Sequence, residues 1–217
     1  MENVSYETIT TKQYIDLQTA YDFFNAELFG GKLPQVLITL QRKSHAYGYF
    51  SPNKFAGRGT KDKAHELALN PDLFVGRTDR EIFSTLAHEQ AHVWQETFGK
   101  TPRGGYHNKQ WGTEMKRIGL YPSATGKPGG KETGQKVSHY ILDGGLYAIA
   151  YAKLESQGLK LTWESLSKAV VRAAKKESKL KYTCTNCGQN SWAKPGAVLI
   201  CGVCFETDGF ETPMEPA

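Results

Sequence analysis

Thr78-Asp79-Arg80-Glu81-Ile82-Phe83-Ser84-Thr85-Leu86-Ala87-His88-Glu89-Gln90-Ala91-His92-Val93-Trp94-Gln95-Glu96-Thr97-Phe98-Gly99 is the run from which the rest of the chain can be read. Thr78 followed by Glu81 has the form of a capping box, and Gly99 is a stop. Between them Ile82, Phe83, Leu86, Val93, Trp94 and Phe98 supply apolar positions at helical spacing, so a helix is predicted over 78–98. His88 and His92, four apart, then lie one above the other on one face, near enough to share an ion at ~2.0–2.1 Å, with Glu89 beside them. This is the His-Glu-x-x-His arrangement of hydrolytic zinc sites, with two imidazole ligands and a carboxylate base.

A catalytic zinc also needs a third protein ligand and an open position. The compact variant, with a glycine three residues after the second histidine and a ligand three further on, is excluded because Gln95 and Phe98 stand at those places. Two candidates are left. His107 opens a segment in which Trp111, Met115 and Ile118 form an apolar helical stripe, so a ligand in that first turn points toward the core. Glu114 lies on nearly the same face but about 10 Å further along the axis, so the two cannot serve one ion from a single undistorted helix.

His88-Glu89-Gln90-Ala91-His92-Val93-Trp94, the glycines Gly104 and Gly105, and His107 followed by Trp111 and Met115 together resemble the SprT-like metallopeptidases. Upstream, Asn25-Ala26-Glu27-Leu28-Phe29-Gly30-Gly31-Lys32-Leu33-Pro34 and Tyr47-Gly48-Tyr49-Phe50 resemble that family's opening helix and first strands, so the likeness runs over about residues 11 to 120. It implies zinc held by His88, His92 and His107, Glu89 as general base, and activity toward proteins bound to or crosslinked on DNA. In such chemistry zinc brings the pKa of water toward ~7, and Glu89 takes the proton as the water attacks a peptide carbonyl, then passes it to the leaving amine. Tyr106 and His139 are the polar candidates for an additional oxyanion donor. His45 and His65 are spaced with no other ligand and read as ordinary packed or exposed residues.

At the other end Cys184-x-x-Cys187 and Cys201-x-x-Cys204, separated by thirteen residues, make a zinc ribbon pattern. Each pair can form a knuckle, with Gly188 and Gly202 relieving the backbone where it turns. The polar start Met1-Glu2-Asn3-Val4-Ser5 lacks a leader's apolar region, so no secretory leader is expected, and with these as the only cysteines of the sequence disulfides are not expected. A site of four thiolates has no open position, so its expected role is structural, folding a short segment that could not bury a core unaided.

With 217 residues, 39% of them hydrophobic, the chain is long enough for one full core and a small metal-supported appendage. The longest apolar stretch, Leu146 to Ala152, is too short for a bilayer, so a cytoplasmic protein with no membrane partner is expected. The net charge of +5 is modest, but its distribution is not. Between Trp163 and Lys181 a helical projection puts Lys168, Arg172, Lys175, Lys176 and Lys179 on one face and Trp163, Leu166, Val170 and Ala173 on the other. That basic ridge is a candidate for tracking phosphates, single-stranded DNA in particular. Glu206, Asp208, Glu211 and Glu215 gather beyond the ribbon.

The remaining elements read as a helix over 12–29 with Tyr14, Leu17, Tyr21, Phe24 and Leu28 on its buried stripe, ended by Gly30-Gly31. Strands are expected over 36–40, 46–50 and 66–69, with Pro52 and Pro71 closing two of them. Residues 122–131 are rich in Gly, Pro and Lys and read as a loop. Val137–Leu142 and the stretch from Leu146 flank Asp143-Gly144-Gly145, which fits a hairpin or the start of a helix toward Gln157.

The expected fold is α+β, a zincin-like core with a small mixed sheet and an active-site helix, followed by a zinc ribbon. The expected division is a metallopeptidase core over 1–121, a loop and basic helix over 122–180, and the ribbon with an acidic tail over 181–217. The expected activity is zinc-dependent cleavage of DNA-associated proteins, with one catalytic and one structural zinc. A non-catalytic zinc protein that binds nucleic acid, and a protease for a dedicated regulator that does not bind DNA, are the alternatives.

Overall fold

The computed structural model describes residues 8–166 and 179–216. They belong to two compact units, Met1–Ala169 and Val170–Ala217, and the described residues form a mixed α+β structure with small sheets and five α-helices. Lys168, Arg172, Lys175 and Lys176 lie outside the described residues.

The first unit is organised around α1 (Ile9–Phe29) and α2 (Asp79–Phe98). Thr8 caps α1, and Gly30 ends it in the left-handed region at φ 65°, which a glycine adopts without the steric cost of a Cβ. Its buried line runs through Gln13, Leu17, Ala20, Tyr21, Phe24 and Leu28, whereas Tyr14 is exposed. The predicted stripe is one residue out at its start. Gln13 turns inward because its Oε1 accepts from the backbone N–H of Trp163 at 3.2 Å, an anchor no periodicity could reveal. Phe24 packs between Phe83 and Tyr147, with ring centroids at 6.1 and 5.3 Å. Buried Asn25 exchanges two hydrogen bonds with the Leu33 backbone and so fixes the turn after α1.

A three-stranded sheet follows, in the order β1 (Leu37–Leu40), β3 (Lys63–Leu69), β2 (Gly48–Ala56). β3 is central, parallel to β1 and antiparallel to β2, and its Leu67, Ala68 and Leu69 are fully buried. β2 runs past Pro52, which was expected to close it. As an edge strand it can spare the missing N–H, and an irregularity between Ser51 and Phe55 absorbs the proline.

α3 (Lys109–Arg117) leads into β4 (Leu120–Ser123), which pairs antiparallel with β5 (Ser138–Ile141). The loop expected from residue 122 therefore begins after Ser123. Asp143-Gly144-Gly145 leads not into a second hairpin arm but into α4 (Leu146–Ser156), whose Tyr147, Ala150, Tyr151 and Leu154 face is buried. Residues 161–166 are not helical, contrary to the predicted start of the basic helix. The backbone N–H of Leu161 donates to Asp79 and that of Trp163 to Gln13, which ties this stretch to α2 and α1.

In the second unit β6 (Leu180–Cys184) lies between β7 (Asn190–Ala193) and β8 (Met214–Pro216), both antiparallel to it, and α5 (Gly202–Asp208) precedes β8. Lys181, expected at the end of the basic helix, is in β6, and Lys179 precedes that strand on the surface. The stretch read as an acidic tail supplies a strand. Among the described residues its apolar core comprises Tyr182, Met214 and three of the cysteines, with Leu180, Ala193, Ala197 and Leu199 partly buried against them, a small core of the kind that usually needs a crosslink or ion.

Candidate metal centre

α2 carries the centre, and its start is fixed as the sequence suggests. Glu81 N–H donates to Thr78 Oγ1 at 3.3 Å, and Thr78 N–H donates to Glu81 Oε2 at 2.8 Å. Further along, where the helix is fully buried, His88 and Glu89 are 8% and 5% exposed. His107 is not in the first turn of α3. Asn108 takes the capping position, accepting from Trp111 N–H at 3.0 Å, and His107 stands just before it, tied to Gly134 by reciprocal backbone bonds of 2.8 and 3.0 Å. Asn108 is a capping residue by type, so the sequence does carry a signal for this boundary, one that the histidine beside it obscures.

His88, His92 and His107 converge, each offering a nitrogen within 4.8 Å of the others. Fully buried Trp111 is the floor of the cluster: it stacks on His92 at 5.1 Å with 16° between planes and meets His88 and His107 edge-on at 4.9 and 4.4 Å. Glu114 faces elsewhere, gripped by Arg117, which also reaches the Leu28 carbonyl at 2.7 Å. Tyr106 lies beneath the Arg103 guanidinium at 5.7 Å. His65 accepts from Asn53 N–H at 2.9 Å, and neither His45 nor His65 joins the cluster.

The electrostatics suit a cation. Burial is the largest cause lowering the pKa of all three imidazoles, to about 3 for His92, and the crowding of neighbouring rings adds to it for His88 and His92. They are therefore neutral at pH 7, the form in which histidine ligates. Glu89 moves the other way, to about 8, because burial disfavours its charge more than Lys43 restores it. Its carboxylate sits against β2: a Cβ at Gly48 would come within 3.2 Å of Glu89 Oε1 and 2.8 Å of the Ala68 carbonyl, so only glycine admits this approach. Gly48, Gly134 and Trp111 are site residues whose roles sequence reasoning misses.

These shifts imply a pH optimum for the stability of chelator-treated protein. The imidazoles have folded pKa values below the ordinary ~6.5, so their contribution is complete above that and is lost as pH falls toward the folded values. Glu89 acts oppositely, its contribution present below the ordinary carboxylate range and lost as pH rises through about 8. Melting temperature is therefore expected to peak near pH ~6.5 and fall on both sides, most steeply toward acid. A flat profile from pH ~4.5 to ~8 would contradict the burial of these groups.

In the second unit the four cysteines, also free and within 4.8 Å of one another, pair across the knuckles. Cys184 and Cys204 sulfurs are 3.6 Å apart and those of Cys187 and Cys201 3.5 Å, close to the ~3.8 Å edge of a tetrahedron with ~2.3 Å arms. The first knuckle turns on Gly188 at φ 74°. The second needs no such relief, since Gly202 is the opening residue of α5. No described helix is long and apolar enough to cross a membrane.

The SprT-like family model matches residues 17–129, just over half of the chain, taking in most of α1, the three-stranded sheet, α2 and α3. A Salmonella typhimurium protein described as "Uncharacterized protein in mucB 3'region" is 55% identical over 49 residues, which make up 23% of this chain and 66% of that protein. No solved structure matches. The stretch matched by the model includes every member of the imidazole cluster and Glu89, and on that match the chain belongs to the SprT-like family, a membership that points to metallopeptidase-like chemistry.

Proposed function

We propose that the protein is a zinc-dependent endopeptidase with a zincin-like core, acting on DNA-associated or DNA-crosslinked proteins. The observation that carries this reading is the convergence of three neutral imidazoles and a buried carboxylate beside the open edge of β2. His88, His92 and His107 would hold the catalytic zinc, and Cys184, Cys187, Cys201 and Cys204 a structural one. Bound among the imidazoles, zinc would supply Lewis-acid polarisation and lower the pKa of water.

Glu89 is the proton carrier in this reading. As a carboxylate beside the metal position it accepts a proton from the attacking water and then releases it to the departing amine. β2 has a strand partner on one side only among the described residues, so an extended substrate can add to its free edge through main-chain hydrogen bonds. Such binding asks little of substrate sequence. Selectivity then falls to access and tethering, for which Lys168, Arg172, Lys175, Lys176 and Lys179 are the candidate DNA-binding residues.

The test is incubation of the purified full-length protein with a DNA-binding protein, with and without single-stranded DNA. Cleavage is expected to rise on adding DNA, with the rise lost in a Lys175→Glu, Lys176→Glu, Lys179→Glu variant and at high salt. Cleavage indifferent to DNA in wild type would remove DNA from the account and favour a dedicated regulator as substrate.

A further inference from the structure

We infer that His139, on β5, is a positioning residue for His88, holding it in the tautomer that ligates through Nε2. The inference rests on the proposed metal site and follows from a chain of hydrogen bonds whose direction is fixed at its far end. The Glu81 carbonyl can only accept, so the Ser84 hydroxyl 2.8 Å away spends its one hydrogen there. Ser84 Oγ is then left to accept from His139 Nε2 at 2.9 Å, which places the ring hydrogen of His139 on Nε2. Neutral His139 has a lone pair at Nδ1, and the nitrogen it faces at 3.1 Å is His88 Nδ1. His88 must donate across that contact, and its only lone pair lies on Nε2.

His107 is held by the same logic. Its Nδ1 faces the Gly134 carbonyl at 3.1 Å, an acceptor only, so Nδ1 carries the hydrogen and Nε2 is open. Both partners, Gly134 and His139, come from the excursion between β4 and the end of β5, beyond the residues matched by the family model. That excursion engages the Nδ1 atoms of two of the three imidazoles. Partners of this kind fix ring orientation and raise ligand basicity, and their loss usually costs roughly 10–100-fold in metal affinity.

The experiment is a zinc titration of the full-length protein against a competing chelator, resolving two equivalents, with the imidazole site identified as the one lost in His92→Ala. His139→Leu is expected to weaken that equivalent by about 10–100-fold, and His139→Asn, whose Oδ1 can accept from His88, to recover most of the loss. Unchanged affinity in a folded His139→Leu protein overturns the inference. If His92→Ala alters neither equivalent, the metal site itself is refuted, a distinct result. Two-bond nitrogen–proton spectra of metal-free wild type decide the matter without any variant: His88 protonated on Nδ1 and His139 on Nε2 are expected, and His88 protonated on Nε2 overturns the assignment.

Discussion

Glu89→Gln is expected to leave metal content unchanged and to lower proteolysis by about 10²–10⁴-fold. Glutamine keeps the shape and can still hydrogen-bond a water, but it cannot take the proton. The substitution sits in a favourable place for a clean result, because Glu89 is buried, its pKa is already raised to about 8, and a neutral amide therefore costs the fold no lost charge pair. The fold is expected to be no less stable and, above the carboxylate's ordinary titration range, more so. Activity within a few-fold of wild type, at equal zinc content, would rule Glu89 out as the base.

His107→Ala is expected to remove metal from the imidazole cluster, whereas Glu114→Ala is expected to keep it. On sequence spacing alone the two residues are rivals as third ligand. In the folded chain His107 joins His88 and His92 over Trp111, while Glu114 is occupied by Arg117. Glu114→Ala instead loosens the tie from Arg117 to the end of α1, at a cost of about 1–3 kcal/mol of stability. Zinc content and melting temperature measured on both variants separate these effects. Loss of metal in Glu114→Ala with retention in His107→Ala would mean that the ligand set is wrong.

What can be read in advance divides by the range of the interaction. α2 is legible because its capping box and its histidine pair are local and are realised at the expected residues, and its apolar spacing holds at Ile82, Phe83, Leu86 and Val93, whereas Phe98 in the last turn is exposed. The four-cysteine cluster is legible for the same reason. Elements decided by a distant partner are not. Gln13 rather than Tyr14 faces inward because Trp163 lies against α1, and β2 survives Pro52 because it is an edge. The choice of helix over hairpin after Gly145 depends on a distant core, where the Tyr147, Ala150, Tyr151 and Leu154 face is buried and Tyr147 meets Phe24 of α1.

The same division holds within the site. His88 and His92 are related by one helical turn, which spacing states outright. His139 lies far along the chain from His88 and meets it only through the β4–β5 pairing, so nothing in its own neighbourhood, Val137-Ser138-His139-Tyr140, distinguishes it from a packed histidine. The oxyanion role open to it in the sequence is closed in the structure, because both its ring nitrogens are engaged, by Ser84 and His88. Gly48 carries no chemical signal at all, since its importance is the side chain it lacks beside Glu89.

The most direct measurement is elemental zinc analysis of the intact protein after reconstitution, set beside a His88→Ala, His92→Ala variant. About two zinc ions per chain are predicted for wild type and about one for the variant, the remaining ion belonging to the tetrathiolate cluster. One ion in both proteins would contradict a zinc site among the imidazoles, and with it the proposed peptidase mechanism.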